Sequence, residues 1–336
     1  MCHVPGYLEH RTACGVPRTR RAPRACAAGA GGTRPFLLLA LVLAVWPLLS
    51  PTPLLAEPAS PTARPLRMGY TAAVIDSVDL QDAKVALKAW TDITSKEDGT
   101  DFVSDANIYN DLQDLIRNLV AGELDLIGVA PLEYLEHCET LPILPTYTGV
   151  FGGQTTHPEL LLVHKESGIE KLADLKDRPM VIENAGIGAL PMVWLEVELA
   201  RAGLPPAARY LGKIKTTQKG NQSVLPVFFK QTAACVVREN VFNNMVELNP
   251  QLGRDLKIIA KSAPFCKSIV SFRKDYSKEN REILVKNAIK LHKSIKGKQI
   301  LTLFRTEQIV VFDPNDLSSC RALFTEYQAI KKRPVK

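Results

Sequence analysis

The 336 residues are 46% hydrophobic and 23% charged, an ordinary globular composition with length enough for two lobes and a sizeable core. The formal charge of +7 gathers at the start, where residues 1–56 set Arg11, Arg18, Arg20, Arg21, Arg24 and Arg34 against the single acid Glu9, so the remainder carries only +2. That near-balance excludes an electrostatic case for a nucleic-acid or membrane-surface partner of the mature body.

In chain order, the arginine-rich leader runs into Phe36–Ser50, FLLLALVLAVWPLLS. Fifteen residues interrupted by Pro47 are short for a hydrocarbon core of ~30 Å, and the run reads as the apolar region of a signal peptide. Cleavage is expected near Ala56/Glu57, which makes residues 1–56 a leader and places the mature chain in the periplasm, or on the membrane if the leader stays uncleaved. Cys2, Cys14 and Cys26 leave with it. Cys138, Cys235, Cys266 and Cys320 remain in a compartment that permits disulfides, either as buried thiols or joined in one disulfide with three ways of pairing the four, and their spacings are too wide for a zinc site.

Residues 57–65, EPASPTARP, read as a linker, and Leu66–Tyr70 as the first strand. Gln81–Ile93 sets Ala83, Ala86, Leu87, Trp90 and Ile93 on one helical face, and residues 101–104 follow as a short strand. Asn110 is the expected cap of the next helix, with Gln113 at the capping-box position, Leu112, Leu115, Ile116, Leu119 and Val120 as its buried stripe, and Gly122 as its stop. Leu124–Ala130 reads as a buried strand that enters a helix at Pro131. Glu159–Val163 and Met180–Ile182 read as further strands separated by a loop at 172–177. This alternation implies largely parallel sheets with helices on both faces.

Asn184-Ala185-Gly186-Ile187-Gly188-Ala189 joins a strand to a helix in which Leu190, Val193, Trp194 and Val197 share a face, with Pro191 in its first turn. In open α/β sheets ligands bind at the carboxyl ends of strands, and free N–H groups at a helix N-terminus attract anions; a plain tight turn is the alternative reading of the two glycines. A third unit runs through the polar 216–222, a helix at Val224–Phe229 and a strand at Ala233–Val237. It ends on Arg238-Glu239-Asn240, either a cleft edge or solvated charges with an Asn cap. Ser277 is positioned to cap a helix carrying Ile283, Leu284, Ala288 and Leu291, while Lys286, Lys290, Lys293, Lys296 and Lys298 make a solvated face. The basic tail covers 331–336.

Catalytic motifs are missing: there is no Walker A loop, G-x-S-x-G elbow, H-E-x-x-H or complete G-x-G-x-x-G, and His137, His157, His164 and His292 belong to no motif. No cofactor, metal or catalytic residue is expected, and the chain is read as a non-enzyme.

Three segments carry a resemblance: Leu119-Val120-Ala121-Gly122-Glu123-Leu124-Asp125-Leu126-Ile127 leading to Pro131 and Tyr134; Lys165-Glu166-Ser167-Gly168-Ile169 with Leu172–Lys176; and Ser262-Ala263-Pro264-Phe265. In this order, over residues 66 to about 328, the chain resembles the phosphonate-binding family of ABC-transporter substrate-binding proteins. The resemblance implies a two-lobed type II periplasmic binding fold, each lobe a mainly parallel sheet flanked by helices with the ligand cleft between them. It implies crossings near 155–163 and 261–270, hence a discontinuous lobe one of residues 66–155 with 261–330 and a lobe two of 156–260. The implied ligand is a small oxyanion captured by lobe closure, and the implied partner an ABC-transporter permease; a membrane sensor is the alternative, and an enzyme on this fold a lesser one. Relatives that bind phosphonates usually carry Ser/Thr hydroxyls where this chain has residues 184–189, and many place a histidine where Gln222 stands. The expected ligand-binding set is Tyr70, Tyr134, Asn184, Gly186, Ile187, Gly188, Ala189, Gln222, Arg238 and Glu239, the Gly186–Ala189 amides and Arg238 holding the anion.

Overall fold

The computed structural model describes residues 66–75, 80–96, 102–183 and 189–332. The leader, the linker and residues 333–336 of the tail lie outside the described residues. The chain starts with β1 (Leu66–Thr71), α1 (Leu80–Lys96), β2 (Ser104–Tyr109), α2 (Leu112–Val120), β3 (Leu126–Val129), α3 (Pro131–His137) and β4 (Ile143–Val150). It crosses at β5 (Thr156–His157) into β6 (Glu159–His164), β7 (Met180–Glu183), α4 (Leu190–Arg201), α5 (Ala207–Tyr210), β8 (Ile214–Thr217), α6 (Gly220–Phe228), β9 (Ala234–Arg238), α7 (Glu239–Leu248), α8 (Gln251–Asp255) and β10 (Leu256–Lys261). The return runs through β11 (Phe265–Cys266), β12 (Ile269–Arg273), α9 (Lys278–Lys290), α10 (Ile295–Leu303), β13 (Gln308–Val311) and α11 (Ser318–Lys331).

Two main sheets result, one ordered β13-β4-β12-β3-β1-β2 and one ordered β10-β6-β9-β7-β8, with β5 and β11 paired antiparallel on the two crossings. The α/β class and the type II arrangement match expectation, and both sheets are mixed. β1 runs parallel to β2 and β3, and β7 to β8 and β9; the strands beside the crossings, β4, β6, β10 and β12, pair antiparallel because the chain re-enters each sheet from the other side.

Burial follows the strand period. In β6, Leu160 and Leu162 join one cluster with Val181, Cys235 and Val237, while Leu161 and Val163 join the opposite cluster with Ile182, Val236 and Trp194, so this strand is sealed on both faces. The first sheet does the same, with Met68, Tyr70, Leu87 and Phe272 on one side and Leu115, Leu119, Ile127 and Val129 on the other.

Local signals differ from expectation at three points. The cap of α2 is Asp111, whose carboxylate accepts from the Gln113 N–H at 2.8 Å, one residue after the expected Asn110, and Val120 faces out. The second strand occupies 104–109 instead of 101–104, because pairing with β1 sets Leu66 opposite Ser104. The polar residues 220–222 form the first turn of α6.

The C-terminal helix touches elements that follow both sheets. α11 packs on α4 as well as α3; Cys320 and Leu323 share a cluster with Trp194 and Val197, and Arg201 grips Glu326 through two bonds of 2.9 and 2.6 Å. The apolar residues Leu323, Phe324, Tyr327 and Ile330 bind this part of 261–330 to the second sheet's helix.

Candidate functional site

A cavity of about 990 Å³ opens where the carboxyl ends of β1 and β3 face those of β7, β8 and β9, and it extends along the second sheet to the amino ends of β7, β8 and β9 at Pro179, Lys213 and Thr232. The first sheet contributes Ala72, Ala73, Ala130 and Glu133; the second contributes Ala189, Thr216, Thr217, Lys219, Gln222 and Arg238; the crossings add Phe265, Cys266 and Lys267. Parallel strands end together and their following helices begin together, which brings the starts of α4, α6 and α7 to one wall.

Those three helix starts share one chemical feature. Their N-cap residues are Ala189, Lys219 and Arg238, whose side chains have no acceptor, and none of the three helices has a side-chain cap. The three helices run 12, 9 and 10 residues; the first N–H of α7, that of Glu239, donates to the Pro158 carbonyl at 2.9 Å, and Pro191 takes one donor from the first turn of α4, so the free donors at this wall come from the starts of α4 and α6.

Side-chain charge adds to this. Lys213, Lys215, Lys219, Arg238 and Lys267 line the cavity against two carboxylates, Glu133 and Glu159. Glu133 is occupied, accepting from the Thr71 hydroxyl at 2.7 Å and the Ala130 N–H at 2.8 Å. Glu159 is buried beside Arg238, with 3.8 Å between Oε1 and Nε. Lys267 stacks over the Phe151 ring at 4.6 Å. His157, on β5, points Nε2 at the Phe151 carbonyl, and burial holds its pKa below the ordinary 6.5, with the Arg238 charge pushing the same way.

Gly220 is fixed by packing. A Cβ there would collide with Val241 and crowd the Glu183 carboxylate, so the start of α6 lies close against α7 only because the residue is glycine.

Of the expected site residues, Ala189, Gln222 and Arg238 line the cavity. Gln222 is oriented by the Thr217 hydroxyl, 2.6 Å from its Oε1. Glu239, next in chain to Arg238, turns to Lys261 at 2.5 Å and is not among the lining residues. Tyr70 is 3% exposed in the core of the first sheet, its ring filling the space left by the missing Cβ of Gly128. Tyr134 packs between hydrophobic clusters and is likewise not among the lining residues. Asn184, Gly186, Ile187 and Gly188 lie outside the described residues. Sequence reasoning missed Lys213, Lys215, Lys267 and Glu133. Lys213 and Lys215 alternate about an edge strand, where lysine ordinarily protects against edge pairing, and this masked their second face. Among the described residues no group of His, Cys, Asp and Glu is arranged to hold a metal ion, and no helix is long and apolar enough to cross a membrane.

Two mixed α/β sheets joined by paired crossings, with a ligand-sized cavity at the strand ends, define a type II periplasmic binding protein. Residues 73–317 match the family described as ABC transporter, phosphonate, periplasmic substrate-binding protein. The chain belongs to that family, whose members are periplasmic proteins that deliver small molecules to a transporter permease. No curated protein matches it.

Solved structures share the fold at low identity. XAC2383 from Xanthomonas citri, bound to ATP, is 15% identical with a TM-score of 0.60 over 80% of this chain and 98% of that one. A binding component of an ABC phosphonate transporter from Pseudomonas aeruginosa is 17% identical, TM-score 0.57, over 80% and 88%. PhnD1 from Prochlorococcus marinus, in complex with methylphosphonate, is 14% identical, TM-score 0.55, over 80% and 99%.

Proposed function

We propose that this protein is an exported solute-binding protein that captures a small phosphorus-type oxyanion in the 990 Å³ cavity and hands it to an ABC-transporter permease. The observation that carries this reading is the convergence of the starts of α4 and α6, neither with a side-chain cap, with Arg238 and four lysines on one cavity. Such a wall favours negative charge twice over, through oriented N–H groups and through full cations. The neighbours bound to ATP and to methylphosphonate support the phosphoryl or phosphonyl class, and the cavity is large enough for a ligand with a substantial organic part.

Residues 66–155 with 261–317 act as one lobe and 156–260 as the other, with β5 and β11 as the hinge. A ligand touching Glu133 or Ala130 on one side and Arg238 or Gln222 on the other is held fully only when the lobes close, so binding shifts the hinge equilibrium toward the shape the permease reads. Residues 1–56 act as the export leader.

The test is a thermal-shift screen of residues 57–336 against methylphosphonate, larger alkylphosphonates, phosphate, phosphite, sulfate, ATP and amino acids, with calorimetry on the hits. A ligand that binds the native state alone raises the midpoint once its concentration exceeds Kd. A shift confined to phosphorus oxyanions supports the proposal; a shift with amino acids and none with anions overturns it.

A further inference from the structure

We infer that Cys266 and Cys320 form a disulfide in the mature exported protein, fastening the returning crossing strand to the C-terminal helix. Their Sγ atoms lie 3.9 Å apart, and both residues are at most 3% exposed. Of the pairings open to four cysteines, this one brings its sulfurs together: Cys235 is sealed inside the second sheet among Val181, Val224 and Val237, and Cys138 turns its thiol to the Leu135 carbonyl at 3.8 Å. A disulfide needs sulfurs about 2.05 Å apart, and the remaining gap of roughly 2 Å is within reach of rotation about the two Cα–Cβ bonds. Both ends are anchored. Cys266 pairs with Thr156 across the β5–β11 ladder, and Cys320 begins the helix seated on α4.

The chemistry balances with a named oxidant. Each thiol gives up its proton, the S–S bond forms, and two electrons reduce the disulfide of a thiol–disulfide oxidoreductase in the exporting compartment to a dithiol. Exchange needs a thiolate, and in the folded protein the hydrogen bond to Cys320 and burial hold the Cys266 thiol far above its ordinary range. The bond therefore forms while the chain is folding and is afterwards shielded from reductant. It closes a loop of 54 positions and fixes one wall of the cavity, since Cys266 is a lining residue.

The inference rests on the chain being exported, and the experiment separates the two. Protein recovered from the exporting compartment is denatured in iodoacetamide without reductant, digested and mapped by mass spectrometry. The expected result is a linked Cys266–Cys320 peptide pair with Cys138 and Cys235 alkylated, together with a Tm that falls by about 5 °C on reduction. Recovery of both peptides alkylated overturns the proposal. A second sample, made in reducing cytoplasm, unfolded and refolded in a glutathione redox buffer, tells which premise failed: a link there but not in the exported protein indicts the compartment, and no link in either indicts the geometry. C266A and C320A, if folded, should each show the lower Tm without reductant and no further change with it.

Discussion

Arg238 closes β9 and Glu159 opens β6, and the two stand opposite each other in the antiparallel ladder with Nε 3.8 Å from Oε1. The guanidinium thus serves both the cavity and a carboxylate that is almost wholly buried.

Arg238→Ala should therefore do two things. It removes a cation from the proposed anion site, and it takes the neighbouring guanidinium from the buried Glu159 carboxylate; breaking a buried pair typically costs about 3–5 kcal/mol. Pairing it with Glu159→Gln should recover most of the lost Tm while affinity stays down roughly 10–100-fold, the value of a charged hydrogen bond. Calorimetry on the double variant, with Glu159→Gln alone as control, makes the check; wild-type affinity in the double variant would remove Arg238 from the site.

In the proposed anion site, Lys213, Lys215 and Lys219, which line the cavity, would act mainly through charge. Replacing all three with Met should weaken anion binding about tenfold at low salt and flatten the dependence of Kd on ionic strength, with Tm little changed. Calorimetry at two salt concentrations reads this, and an unchanged salt dependence would separate these lysines from the ligand.

Asp125 is fully buried and accepts from the Arg67 backbone N–H at 3.1 Å and its Nε at 3.1 Å and Nη2 at 2.9 Å, with Arg273 3.6 Å away. Asp125→Asn leaves both guanidiniums without their shared counter-charge and should destabilise by about 3 kcal/mol, seen as a lower urea midpoint at constant m. Ligand affinity of the folded fraction should hold, since Asp125 lies outside the cavity lining.

His157 makes stability fall in mild acid. Its folded pKa lies below the unfolded 6.5, so between the two the unfolded chain binds the extra proton. The contribution is fully present above 6.5 and is lost as pH drops from there toward the folded value. Tm measured from pH 7.5 to 5 should fall less steeply in His157→Gln than in the wild type; equal slopes would assign the acid sensitivity elsewhere.

Much of the fold was legible because alternating buried runs such as Leu160–Val163 and strong punctuation such as Pro131 and Ser277 act locally. Ser277 caps α9 as expected, its hydroxyl accepting from the Asn280 N–H at 3.3 Å. What was not legible depends on partners distant in sequence. The position of the second strand is set by β1, and the burial of Tyr70 is set by Gly128, 58 residues further on. The site divides the same way. Arg238, Gln222 and Ala189 follow from their place at strand ends, whereas Lys213 and Lys215 look like solvated edge residues until the cavity wall is assembled around them.

The seat of α11 on α4 also orders events in time. The strands of the second sheet are contiguous in sequence, yet the apolar cluster that holds Trp194 and Val197 is completed by Cys320 and Leu323 only when residues 318–331 arrive. A chain emerging N-terminus first therefore leaves that cluster incomplete until α11 is delivered, a contact of high sequence separation that slows completion of the native state. In a family of exported proteins, such a delay keeps the fold unfinished until synthesis has passed residue 318.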